Sequence, residues 1–157
     1  MAVATGLASI AVVERVDYLD TFIAVAQDSQ ATKGTSPPVK PENPSIAART
    51  YRMIAEHPYQ LTSGDVIFAA FADRHGIPEV ERAAARVEFY SRGQACLRAS
   101  QLGKRYGWGI HADGRGRLAL VGVDTPEYDE FVSGRCRSDS GAPISLTQAM
   151  RGSRARR

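Results

Sequence analysis

Apolar positions along the chain keep a strand-like period at first, then a helical one, then return to alternation. Residues Asp17 to Ala26 are rich in aromatic and β-branched types and alternate well enough to predict a strand. Residues 27–43 hold Gly34, Pro37, Pro38 and Pro41 and read as a surface loop, with polyproline II the alternative for Pro37–Pro41. A helix is expected near Asn43, which can cap it, with Pro44 preset at its first position. Ile46, Thr50, Met53, Ile54 and His57 share one face of it, and Pro58 ends it. Thr62 with Asp65 three residues on forms a capping-box pattern. The apolar run 66–72 fits a helix or a buried strand, and the cap upstream favours the helix. A third helix starts at Pro78, with Val80, Ala83, Ala84 and Val87 as its apolar stripe.

Beyond Gly93 the period shortens. Residues 95–99, 105–112 and 117–123 read as strands, the last two joined by the turn Asp113-Gly114-Arg115-Gly116. An even-numbered loop would put Tyr106, Trp108 and Ile110 on one apolar face with Ala119, Val121 and Val123, burying Trp108. Gly107, Gly109 and Gly122 would pave the other face. Thr125-Pro126 opens a short helix to about Val132, and another short helix is expected around Ser145–Met150. The sum is an α+β fold: a small antiparallel sheet with a C-terminal hairpin, packed by three to four helices. Residues 17–133 would form the single domain. Residues 1–16 read as a flexible extension, with an extra edge strand the alternative for the apolar 1–13, and 134–157 as a basic, partly ordered tail.

Composition sharpens this picture at the C-terminal end. The 157 residues are 43% hydrophobic and 24% charged, with a formal charge of +3. Residues 134–157 carry six arginines against Asp139, whereas 1–133 hold 14 cations and 16 anions. A solvated end is the plain reading of that tail; a nucleic-acid contact through phosphate neutralisation is the other. Cys96 and Cys136 have no metal-ligand spacing, and so few cysteines in a core of this size point to free thiols and a cytoplasmic setting. Residues 1–13 are too short to span a bilayer and lack the basic start of a secretory signal, so no membrane partner is expected.

Candidate chemistry concentrates between Cys96 and His111, where Trp108, three cations and three glycines fall within sixteen residues. Arg98, Ser100, Lys104, Arg105 and His111 are the candidate ligand-binding residues, for an anionic small molecule held by paired donors and point charges. The opposing reading has these cations paired with Glu127, Asp129 or Glu130. A hydrolase or transferase using Cys96, Ser100 or His111 is the alternative function, and a docking or structural subunit the third. No phosphate-binding Gly-Lys-Ser/Thr loop, dinucleotide fingerprint or two-His metal pattern occurs, so neither metal nor cofactor is expected.

The run from Cys96 to His111 resembles a family of small bacterial proteins of unknown function, number 6157. So do Tyr18, Asp20-Thr21-Phe22-Ile23, Pro58-Tyr59, Thr62-Ser63, Asp65-Val66, Phe68 and Ala149-Met150-Arg151. The resemblance covers residues 17 to 154. It implies that 1–16 is an extension and that the basic end belongs to the domain, and it brings no catalytic residues. The chain departs from the family pattern at Gln101, where a proline is usual, and at Gly64, where an acidic residue is usual.

Overall fold

The computed structural model describes residues 14–153. Strand β1 (Thr21–Ala24) comes first, buried at all four positions. Helices α1 (Ile46–Glu56), α2 (Ser63–Arg74) and α3 (Glu79–Tyr90) follow. A 3₁₀ turn (Leu97–Ala99) leads into the short α4 (Gln101–Lys104). Strands β2 (Trp108–Ala112) and β3 (Leu118–Gly122), helix α5 (Pro126–Val132) and strand β4 (Ser145–Gln148) complete the chain. The four strands form one mixed sheet in the order β3-β2-β1-β4, with β1 and β4 parallel and the other neighbours antiparallel. The fold is α+β, in one small domain.

Local chemistry sets the helix ends. Ser45, not Asn43, caps α1: its hydroxyl accepts the Ala48 N–H at 3.1 Å. Pro44 therefore lies outside the helix, its carbonyl held by Arg49 Nε at 3.0 Å. Ala47, Ala48, Thr50 and Ile54 face inward, whereas Ile46 is exposed. The capping box of α2 is complete, with Asp65 N–H to Thr62 Oγ1 at 3.1 Å and Thr62 N–H to Asp65 Oδ2 at 2.9 Å. Gly64 suits this end because the Glu14 carboxylate occupies the space a side chain would need. Its N–H donates to Asp17 at 2.7 Å, and its carbonyl accepts from the Tyr90 hydroxyl at 2.6 Å.

The hairpin register differs from the expectation. Trp108 pairs with Gly122, Ile110 with Leu120 and Ala112 with Leu118. Asp113 and Arg117 close a three-residue loop in which Gly116 has φ +78°, a type I turn followed by a left-handed residue. An odd loop exchanges the faces. Ile110, Ala112 and Leu118 join Ile23, Ile54, Val66, Leu97, Leu102 and Ala149 in the main core. Gly109 and His111 turn to the opposite face with Phe22, where Val121 and Tyr128 form a smaller core with Phe131 packed against it. The glycines do not pave one face. The space beside Gly109 is filled by the Phe22 and Tyr128 rings, so no ligand surface lies there. Trp108 is half-buried: its ring lies over Gly34 and its Nε1 donates to the Thr35 carbonyl at 2.9 Å.

Two further expectations give way. Residues 95–99 are not a strand, because the 3₁₀ turn lets Leu97 and, after it, Leu102 enter the core. The helix expected near Ser145–Met150 is β4, whose backbone pairs with β1 and continues into Ala149 N–H to Ala24 carbonyl at 2.8 Å. Both cysteines are free. Among the described residues no helix is long and apolar enough to cross a membrane. The extension expected over residues 1–16 lies for its first thirteen residues outside those described.

Candidate anion-binding site

The five candidate residues do not gather at one point. Arg98 follows the core residue Leu97, and its Nε donates to the Gln148 carbonyl at 2.7 Å while its own carbonyl accepts the Met150 N–H at 2.7 Å. It ties β4 to the turn. The Ser100 hydroxyl accepts the Leu102 N–H at 3.1 Å and so starts α4. Lys104 and Arg105 stand at the other end of that helix and line a cleft of about 480 Å³ with Asp28, Gln30, Ala31, Gly152 and Ser153. Lys104 ends α4 and Arg105 is its C-cap, the helix end at which cations are favoured.

Among the described residues neither Lys104 nor Arg105 forms an ion pair, and neither meets Glu127, Asp129 or Glu130. Glu130 instead pairs with Arg135 at 3.0 Å. The one carboxylate lining the cleft is already engaged. Asp28 accepts the Gly152 N–H at 3.0 Å, and the Ser153 N–H and hydroxyl at 3.2 Å each. The Gly152 bond leads in holding that carboxyl below its usual range. The floor is thus built by residues 28 and 152–153, which sequence reading around 98–111 did not include. The Gly-Ser pair after the Ala149-Met150-Arg151 run was the available signal.

Two of the tail arginines are tied down within the fold. Arg137 donates to the Gly134 and Cys136 carbonyls at 2.9 and 3.1 Å, and Arg151 to Gln27 Oε1 at 3.0 Å. Arg154, Arg156 and Arg157 lie outside the described residues.

His111 belongs to a different place. It stands on the sheet face opposite α4, between Phe131 (centroids 4.6 Å apart) and Tyr59 (5.5 Å). Its Nδ1 is 2.8 Å from the Tyr59 hydroxyl, while its Nε2 is buried without a partner among the described residues. A neutral ring with its proton on Nδ1, given to the Tyr59 oxygen, leaves no buried N–H unpaired. Burial pushes the His111 pKa down, against the raising pull of Asp113, Asp20 and Asp139. Tyr59 reaches the ring from a left-handed backbone, φ 57°, fixed by its N–H to the Leu118 carbonyl at 2.7 Å. No sequence signal marks such a conformation in a tyrosine.

A lowered histidine pKa has a definite sign. The unfolded chain binds the proton first, so this residue's contribution is complete above the unfolded value of about 6.5. It is lost as pH falls from there to the depressed folded value. Stability measured by denaturant titration should therefore drop between neutral and mildly acidic pH, and His111→Asn should flatten that part of the curve. An unchanged slope in the variant would assign the pH dependence to other groups.

Among the described residues Cys96 forms no hydrogen bond with Ser100 or His111. Its Sγ lies 3.2 Å from the Tyr18 hydroxyl, whose pKa is pushed up to about 12 chiefly by burial and also by the thiol. A larger cleft of about 790 Å³ runs along the outer side of α1, lined by Tyr51, Met53, His57 and the 36–44 loop. No group of three His, Cys, Asp or Glu side chains among the described residues could hold a metal ion.

The family model for a family of unknown function, DUF6157, matches residues 13–155. No curated protein and no solved structure matches the chain.

Proposed function

Since the chain belongs to this family of unknown function, its own geometry has to carry the reading, and we propose that it is a binding module for a small anionic ligand. The observation behind this is the cleft at Lys104 and Arg105. Two cations border it without a carboxylate partner among the described residues, and its one lining carboxylate is taken up by three donors from residues 152–153. An arginine offers paired donors to a phosphate or carboxylate, and a lysine adds a point charge. Arg98 and Ser100 shape the turn and α4 rather than the cleft. The same reading puts the protein in a bacterial cytoplasm, in keeping with the resemblance and with two free thiols.

The test is thermal unfolding with inorganic phosphate, pyrophosphate and citrate. At least one should raise the midpoint of the wild type, as binding to the folded state must. The Lys104→Ala, Arg105→Ala double variant should melt as the wild type does without anion and respond to none of them. Arg98→Ala should melt lower yet keep the anion response. Equal responses from wild type and double variant would end this reading.

A further inference from the structure

Helix α3 carries an apolar stripe of helical period, Val80, Ala83, Ala84 and Val87, that lies exposed among the described residues, with Ala83 at the edge of a cleft shared with Leu61 and Phe68. Val80 is 92% exposed and Val87 75%, with both alanines exposed between them. No residue of α3 is fully buried. Its other side is fastened largely by polar ties. Arg86 bridges Glu14 at 2.7 Å and Asp65 at 2.9 Å, and Arg82 meets Asp73 at 2.8 Å. The Tyr90 hydroxyl bonds to Gly64, and Phe89 packs on Phe68 and Phe71.

The charges of the helix are therefore sorted. Both arginines reach neighbouring carboxylates, while Glu81 and Glu88 lie exposed beside the stripe and Glu79 exposed at its start. Small alanines at the centre let a second helix approach closely, and the valines give it anchors at either end. An antiparallel second copy is opposed. The stripe is symmetric in its spacing, so an antiparallel copy would match Val80 with Val87. It would also set the flank of Glu81 and Glu88 against itself. An anionic membrane or nucleic acid is opposed by the same carboxylates.

We propose that this face of α3 docks an amphipathic helix of another protein, one with a small apolar stripe flanked by lysines or arginines. This site is separate from the anion cleft and does not depend on it.

The probe is a fluorescein-labelled helical peptide of eighteen residues (roughly five turns) with an Ala/Leu stripe flanked by lysines. A second peptide has the same stripe flanked by glutamates. Polarisation with the full-length chain should show binding of the lysine peptide, weakened by salt, and little of the glutamate peptide. Val80→Glu with Val87→Glu should weaken binding by at least about tenfold while leaving the melting midpoint unchanged. Any of four results would overturn the proposal. The lysine peptide fails to bind, or binds the variant equally well. The variant melts markedly lower, which shows the stripe already covered within the chain. Sedimentation shows a dimer that the variant abolishes, which gives the face to a second copy.

Discussion

Replacing Phe22 by alanine is expected to remove about 3–5 kcal/mol of folding stability. Phe22 is fully buried. Its ring stacks on Phe131 at 4.5 Å, meets Tyr128 edge-on at 5.4 Å, and fills the space left by Gly109. Nothing nearby can close that void, because Gly109 has no side chain to offer and α5 is fixed by its Thr125 cap and by the Tyr128 hydroxyl, which accepts the Val25 N–H at 3.0 Å. Domains of this size have about 5–15 kcal/mol in all, so the variant should unfold at much lower urea. A loss below about 1 kcal/mol would mean that α5 collapses onto the sheet, against the packing described.

Gly107→Ala should be nearly as damaging, for a different reason. Gly107 has φ +75°, where a side chain costs roughly 1–2 kcal/mol by itself. A methyl there would also strike the Lys33 carbonyl, which is backbone and cannot swing aside. The 31–36 loop must then move. It is held by Thr35 N–H to the Tyr106 carbonyl at 2.8 Å and by the Trp108 indole. The sum should exceed about 2 kcal/mol, accompanied by a red shift of Trp108 fluorescence as the indole gains water. Loss of stability without that shift would separate the strain from the loop.

What could be read from the sequence was what short-range chemistry decides. The Thr62–Asp65 box, the stop at His57-Pro58 and the Thr125 cap each act within one helical turn, and each lies where its residues predict. The alternation around Trp108 marked a real hairpin. Its register escaped because it rests on one dihedral, that of Gly116, and a single extra loop residue exchanges the two faces. For α3 the apolar stripe competed with Arg82, Arg86 and Phe89 on the other side, and the partners that decided between them lie on Glu14, Asp65 and Asp73. Of the candidate site, Lys104 and Arg105 were legible as cations. Their surroundings were not, since Asp28 and Ser153 come together only through the pairing of β1 with β4.

That pairing also sets how the chain can fold. Thr21 lies beside Ser145, 124 positions later, and beside Ala112, 91 positions later. The innermost strands therefore close some of the longest loops in the molecule, whereas α1, α2 and the hairpin form from neighbours. Long loop closure slows a transition state far more than it changes final stability. The helices and hairpin should appear early, with β1 exposed as an unpaired edge until β4 arrives. Newly made chains are at greatest risk of mispairing in that interval. Refolding should accordingly show early helical signal, and protection of the β1 amides only in the last phase.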